Sequence, residues 1–210
     1  MGGNHAVQLG YENTDGHQLL RGARRCRLAL FSRRALALTQ HRPSLRTKRL
    51  QLRWLSIDDA ELLLSIWNDP AFVRHVGDRG IRTKDDAVQA FSDGPLKLYS
   101  EYGYGPYRVS LLENDEAIGI CGLFRRDNLD DPDVGFALLP EYCGKGYASE
   151  AAMAVVEHAK HGLGLPRLTA IVSPGNAASI GLIEKLGLKF ERMIRMPGDS
   201  EDISLYGIDW

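Results

Sequence analysis

Cysteine is scarce in this chain: Cys26, Cys121 and Cys143 are the full complement. Three is an odd number and no two stand in a C-x-x-C spacing, which argues against a disulfide scaffold and for a reducing, cytoplasmic setting. Long apolar runs are missing too. None approaches the 18 residues that a membrane-spanning helix needs, so no membrane partner is expected. Metal-ligand spacing is equally thin. His158 and His161 stand three apart, but nothing around them completes a ligand set, and no metal is expected. Glycine is plentiful, at 22 residues, yet Gly144-Lys145-Gly146 has neither the third spaced glycine of a dinucleotide fingerprint nor the Lys-Ser/Thr ending of a P-loop. Both nucleotide-binding modules therefore fare badly as readings of this loop.

What is present is an ordinary globular composition, 44% hydrophobic and 25% charged, in 210 residues, enough for one domain with a sizeable core. Charge is divided unevenly. Residues 1–49 hold ten Lys/Arg against Glu12 and Asp15, a balance of +8, so a net charge of −1 leaves −9 for the remainder. Two divisions follow: a basic N-terminal extension over 1–48 and a folded domain over 49–210. The basic, apolar stretch Arg21 to Leu38 has three readings: a targeting presequence, an arm for an anionic surface, or a poorly ordered, partly helical extension from a start codon placed too early. Glu12 and Asp15 fit a presequence badly, and the third reading is preferred. The acidic balance of the domain argues against a nucleic-acid partner and favours cationic substrates.

Along the domain, Arg49 to Leu55 alternates as a half-buried strand does. Ser56-Ile57-Asp58-Asp59 opens a helix whose buried face is Leu62, Leu63, Ile66 and Trp67, and Asn68-Asp69-Pro70 stops it. A second helix starts at Thr83-Lys84-Asp85-Asp86, runs through Phe91, and is taken past Gly94-Pro95 toward Tyr99. Tyr107 to Leu112 and Ala117 to Phe124 form a hairpin, and the apolar run Val134 to Leu139 a central strand. A helix from Tyr147, a strand Leu168 to Val172, a helix Asn176 to Leu186, and strands Leu188 to Met193 and Ile203 to Ile208 complete the order β-α-α-β-β-β-α-β-α-β-β. The fold class is α/β (α+β): one domain with a mixed, mostly antiparallel sheet flanked by helices.

The most informative stretch is Pro140 to Ala151, PEYCGKGYASEA. Its glycines let the main chain turn sharply and approach a ligand with no side chain between. The helix that follows aims unsatisfied N–H groups and the positive end of its dipole at the same space, a corner suited to phosphate or pyrophosphate.

Four pieces in order resemble the GNAT superfamily of N-acetyltransferases, and within it the Rim-type branch that acetylates ribosomal proteins. They are Thr47 to Arg53, Trp67 to Pro70, Leu139 to Ala151, and Asn176 to Ile180 followed by Glu184-Lys185-Leu186-Gly187-Leu188. The resemblance covers Thr47 to Trp210. In the family's Q/R-x-x-G-x-G/A loop, Gly146 and Ala148 fill the last two positions, while Cys143 replaces the usual Gln or Arg. The resemblance implies acetyl-CoA as co-substrate. It would be held by Cys143, Gly144, Lys145, Gly146, Tyr147, Ala148 and Ser149, by the strand Phe136-Ala137-Leu138, and by Asn176 and Ser179. Trp67 and Asn68 would border the acceptor. The implied activity is transfer of acetyl to a primary amine by direct attack, with a protein N-terminal α-amine as first acceptor. The alternatives are a small amine or amino-acid derivative, or a catalytically silent coenzyme A sensor. The protein would act as monomer or homodimer.

Within that resemblance, the base maps to Asp133, with a solvated turn aspartate as the alternative reading. The tyrosine that protonates the departing thiolate in many relatives is replaced by Ile183, leaving Ser179 or solvent as proton source. An α-amine, titrating near ~8 against ~10.4 for lysine, is the easier nucleophile at neutral pH. Two further readings concern side chains. Cys143, at a helix N-terminus, is a candidate redox-sensitive thiol or a small space-filler. Tyr99, Tyr102, Tyr104 and Tyr107 line a substrate groove or pack a hairpin.

Overall fold

The computed structural model describes residues 44–197 and 201–210, and the expectations for the stretch before Ser44 lie outside the described residues. The sheet begins with β1 (Ser44–Arg46), paired antiparallel with β2 (Leu50–Trp54). The boundary drawn at 48/49 therefore cuts through a hairpin. Thr47 closes its turn: its N–H donates to Leu50 O at 2.9 Å, and its Oγ1 accepts from Leu50 N at 3.0 Å.

Four helices follow: α1 (Ala60–Trp67), α2 (Pro70–Val76), α3 (Lys84–Asp93) and α4 (Pro95–Tyr102). Helix α2 is not foreshadowed by the sequence reading. Pro70, which ends α1, is also an admissible first residue of the next helix, because its missing N–H has no intrahelical partner there. The Asp69 carboxylate caps the start, accepting from Ala71 N and Phe72 N at 2.9 and 3.1 Å. Pro95 acts in the same way and starts α4 as a separate helix, not an extension of α3.

Strands β3 (Pro106–Leu111), β4 (Ala117–Phe124), β5 (Asp133–Leu138) and β6 (Arg167–Val172) come next, with α5 (Tyr147–Glu157) between the last two. Helix α6 (Ala177–Lys185) and strands β7 (Lys189–Arg195) and β8 (Asp202–Asp209) end the chain. Sheet order is β1-β2-β3-β4-β5-β6-β8-β7, with every pairing antiparallel except β5–β6.

Helix α5 lies across β1, β2, β4 and β5, while α1 packs on β4 and α3. Leu50, Leu52, Leu63, Val109, Ile118, Leu123, Val155 and Leu168 are fully buried between these layers. Each such side chain contributes about 1.5–3 kcal/mol by leaving water. Tyr99 stacks on Trp54 (ring centroids 4.3 Å apart), and its hydroxyl accepts from Leu55 N at 3.0 Å and donates to Pro106 O. Together with buried Tyr104 and Tyr107, it is core, not groove.

Candidate active site

The glycine corner has the geometry its residue types allow. A short 3₁₀ turn (Pro140–Tyr142) leads from β5 to Cys143, after which Gly144 (φ +73°) and Gly146 (φ +81°) both take left-handed backbone. Only glycine does so at no steric cost. Gly146 is the N-cap of α5, and no side chain caps that end. The first intrahelical bond runs from Glu150 N to Gly146 O, so the N–H groups of Tyr147, Ala148 and Ser149 precede the helical ladder.

The corner is anchored from outside. Glu150 accepts from Thr47 Oγ1 (2.6 Å), Arg49 N (2.8 Å) and Arg49 Nε (2.7 Å), and these bonds hold its carboxyl below the usual range against the opposing effect of desolvation. Arg49 also donates to Lys145 O at 3.1 Å and stacks over Tyr147. Thr47 and Arg49, whose sequence signal was only that of an opening strand, thus fix the helix mouth. Tyr142 is tied to Glu116 of the β3–β4 turn, whose carboxylate pushes the tyrosine hydroxyl up to about 12.

Beside the corner the sheet parts. β5 pairs with β4 along its length, from Phe124↔Asp133 to Gly119↔Leu138, but with β6 only at Asp133↔Thr169. Thr169 closes this joint by donating from its N–H and Oγ1 to Pro132 O, at 2.9 and 3.0 Å. Past it the strands diverge. Because Leu139 N donates to Ile118 O at 2.9 Å, strand alternation turns Gly135 and Ala137 toward β4. The N–H and C=O groups of Phe136 and Leu138 therefore face the opening.

A cavity of about 180 Å³ occupies it. Phe136 and Ala137 line it from β5, and Asn176, Ser179 and Ile183 from α6 and its cap. Asn176 Oδ1 accepts from Ser179 N at 3.1 Å, an N-cap bond that orients both residues. Trp67, Phe72, His75 and Arg79 line it from α1, α2 and the turn that follows. His75 and Arg79 escaped the sequence reading, and the missed signal was the unrecognised α2, which carries His75 and delivers the turn that holds Arg79. The cavity wall also leaves the domain's acidic excess elsewhere, since Asp133 is its only carboxylate among the described residues.

Several expected site residues are placed differently. Asp133 is 1% exposed and bound side-on by Arg126, through Nε–Oδ1 at 2.9 Å and Nη2–Oδ2 at 3.0 Å. It is not a solvated turn residue: both carboxylate oxygens are engaged by Arg126, in a pair that costs about 3–5 kcal/mol to break by removing one partner. Asn68 is a clip, not a wall. Its Nδ2 donates to Leu64 O and Ile81 O, and its Oδ1 accepts from Arg82. The Cys143 thiol is pushed up, not down, by desolvation and then by Asp69 and Glu141, so the activated-thiol reading fails. His158 turns inward, its Nε2 buried, while His161 stands in solvent beside Glu157; the two do not share a site. Ile183 is buried and shows the cavity wall a side chain with no proton to give.

A bare helix mouth beside a splayed strand can hold a diphosphate at one end and thread an extended arm along the open edge of the other. Comparisons with known proteins agree. The model for the acetyltransferase (GNAT) domain matches residues 49–189. A Bacillus licheniformis protein described as the uncharacterized N-acetyltransferase p20 is 30% identical over 156 residues, covering 72% of this chain and 85% of the relative. The crystal structure of an acetyltransferase from Agrobacterium tumefaciens superposes with a TM-score of 0.69 at 29% identity, over 80% of this chain and 95% of that one. At 16% identity, a likeness of fold alone, RimL, a ribosomal α-N-protein acetyltransferase solved with coenzyme A, gives 0.68 over 80% and 98%. The open edge of β5, the glycine corner at α5 and these matches lead to one conclusion: this chain belongs to the GNAT family of acetyltransferases.

Proposed function

We propose that the chain moves an acetyl group from acetyl-CoA to a primary amine by direct attack, with an α-amine preferred over a lysine side chain. The observation that carries the reading is the single-residue joint between β5 and β6, which leaves the main-chain donors of Phe136 and Leu138 without a strand partner on the β6 side, Phe136 on the cavity wall. The diphosphate sits on the N–H groups of Gly144 to Ser149. The pantetheine arm runs along β5 toward α6, where Asn176 and Ser179 meet it. The thioester carbonyl accepts from a β5 main-chain N–H, which also stabilises the tetrahedral oxyanion.

The amine nitrogen then forms the new C–N bond, the C–S bond breaks, and coenzyme A leaves as a thiolate that takes a proton. His75 is the imidazole on the cavity wall, and imidazole is the side chain that exchanges protons near neutral pH. It receives the amine proton, directly or through water. Asp133 positions Arg126 and the start of β5, and solvent or Ser179 returns a proton to the thiolate. A protein N-terminus and a small amino-acid derivative are both acceptors of the required kind.

Incubating purified protein with acetyl-CoA and a panel of amines, and following thiol release, tests the reading. Amine-dependent release is the expected result. Coenzyme binding without turnover on any amine would instead support a sensor, a role that Ile183 and the engaged Asp133 would suit.

A further inference from the structure

We propose that the acceptor is a small primary amine with an apolar body and no second positive charge, the size of one ring or a short branched chain. This rests on the acetyl-transfer reading and supplies its acceptor chemistry. With Phe136, Ala137, Asn176 and Ser179 assigned to the coenzyme, the acceptor has the wall built by Leu55 and by helices α1 and α2. Leu55, Leu63 and Trp67 are 2%, 0% and 3% exposed and give that wall a fixed apolar floor. Phe72, His75 and Val76, half-buried, complete it from α2. Their spacing of three and four residues puts them on one helix face. The imidazole that receives the amine proton therefore shares its face with two apolar side chains.

Size and polarity both bear on what fits. A cavity of about 150 Å³ lined by Leu, Ile and Phe takes up benzene. This one, at about 180 Å³, must also admit the acetyl end of the coenzyme, and one ring or a short branched chain fills the remainder. A peptide fits less well. Each of its residues brings an N–H and a C=O that must be paired, and the side chains of Leu55, Leu63, Phe72 and Val76 have no polar atom to pair them.

The wall also decides against the cationic acceptors that net charge alone pointed to. Asp133 is its one carboxylate among the described residues, and Arg126 engages both oxygens. A polyamine or a lysine would bury a second ammonium with no carboxylate to receive it. The reacting amine is different, because loss of water favours its neutral form, which is the nucleophile. Its nitrogen bonds to the thioester carbon, the C–S bond breaks, and the products are an N-substituted acetamide and coenzyme A thiol. His75 takes the proton that the nitrogen releases, and a second proton reaches the thiolate.

The test measures kcat/KM with acetyl-CoA for ethylamine, pentylamine, phenethylamine, cadaverine, spermidine and a short peptide beginning with phenylalanine. Each buried methylene corresponds to about fourfold, so pentylamine and phenethylamine should exceed ethylamine by at least about tenfold. Cadaverine, which adds an ammonium to the five-carbon chain, should fall at least about tenfold below pentylamine. Val76→Phe should narrow the cavity and cut the phenethylamine-to-ethylamine ratio by at least about tenfold. Phe72→Asp supplies a carboxylate and should raise the cadaverine-to-pentylamine ratio. Acetyl-CoA affinity and melting temperature confirm that each variant is folded and coenzyme-competent, and the unsubstituted protein's amine series decides the matter if a variant does not fold. A flat series, or preference for cadaverine, spermidine or the peptide, overturns the acceptor assignment alone. Acetyl-CoA binding with no turnover on any amine overturns it together with the transfer reading.

Discussion

Replacing Gly146 probes the corner to which the proposed function assigns the diphosphate of acetyl-CoA. Its φ of +81° is open to glycine but strained for any L side chain, at about 1–2 kcal/mol. Space is not the obstacle: an added Cβ would meet Arg49 Nη2 at 3.4 Å, an ordinary contact with the end of a flexible side chain. Gly146→Ala therefore carries the backbone term alone. Relaxing that strain moves the N–H groups of the helix mouth, and 1–2 kcal/mol corresponds to roughly a 5- to 30-fold loss of acetyl-CoA affinity. Gly146→Trp adds an indole over the same N–H groups, and binding should fall by more than about 100-fold while circular dichroism and cooperative melting persist. Titration calorimetry with acetyl-CoA reads both variants. Unchanged affinity in the tryptophan variant, with the fold intact, would refute the placement of the diphosphate.

Asp133→Leu should lower the unfolding free energy by about 3 kcal/mol, because it strands the Arg126 guanidinium, whereas the double variant Asp133→Leu/Arg126→Leu should lose less. Urea melts check the order, and acetyl transfer retained by the double variant would show that Asp133 is not the base. His158 gives a pH signature. Burial lowers its pKa from 6.5, so as pH falls through 6.5 the unfolded chain takes up a proton that the folded chain does not, and stability declines until the folded value is passed. His158→Leu should flatten that decline between pH 7 and 5 in melts read by circular dichroism. A decline equally steep in the variant would assign it to other groups.

Much of the fold could be read locally. The alternation of Leu50, Leu52 and Trp54, the hairpin of β3 and β4 and the glycines at 144 and 146 each express a period or a φ requirement within a few residues. Misreadings came from residues with two local meanings. Pro70 and Pro95 signal a stop and equally a start, and only the capping Asp69 side chain and the packing of α2 and α4 choose between them. Asn68 and Cys143 had plausible site roles that their actual partners, Ile81 and Arg82 for one and the carbonyls of Leu138 and Leu139 for the other, replace.

What the sequence determined by itself is the glycine corner at the start of α5, because turn chemistry and a helix N-terminus are properties of one short stretch of chain. The tertiary structure alone decided the parting of β5 from β6, the pairing of Asp133 with Arg126 and the arrival of His75 and Arg79 at the cavity. Those depend on contacts between segments far apart along the chain, and on how a twisted sheet accommodates one parallel joint among antiparallel ones. Neither leaves a periodic trace in the residues that make them.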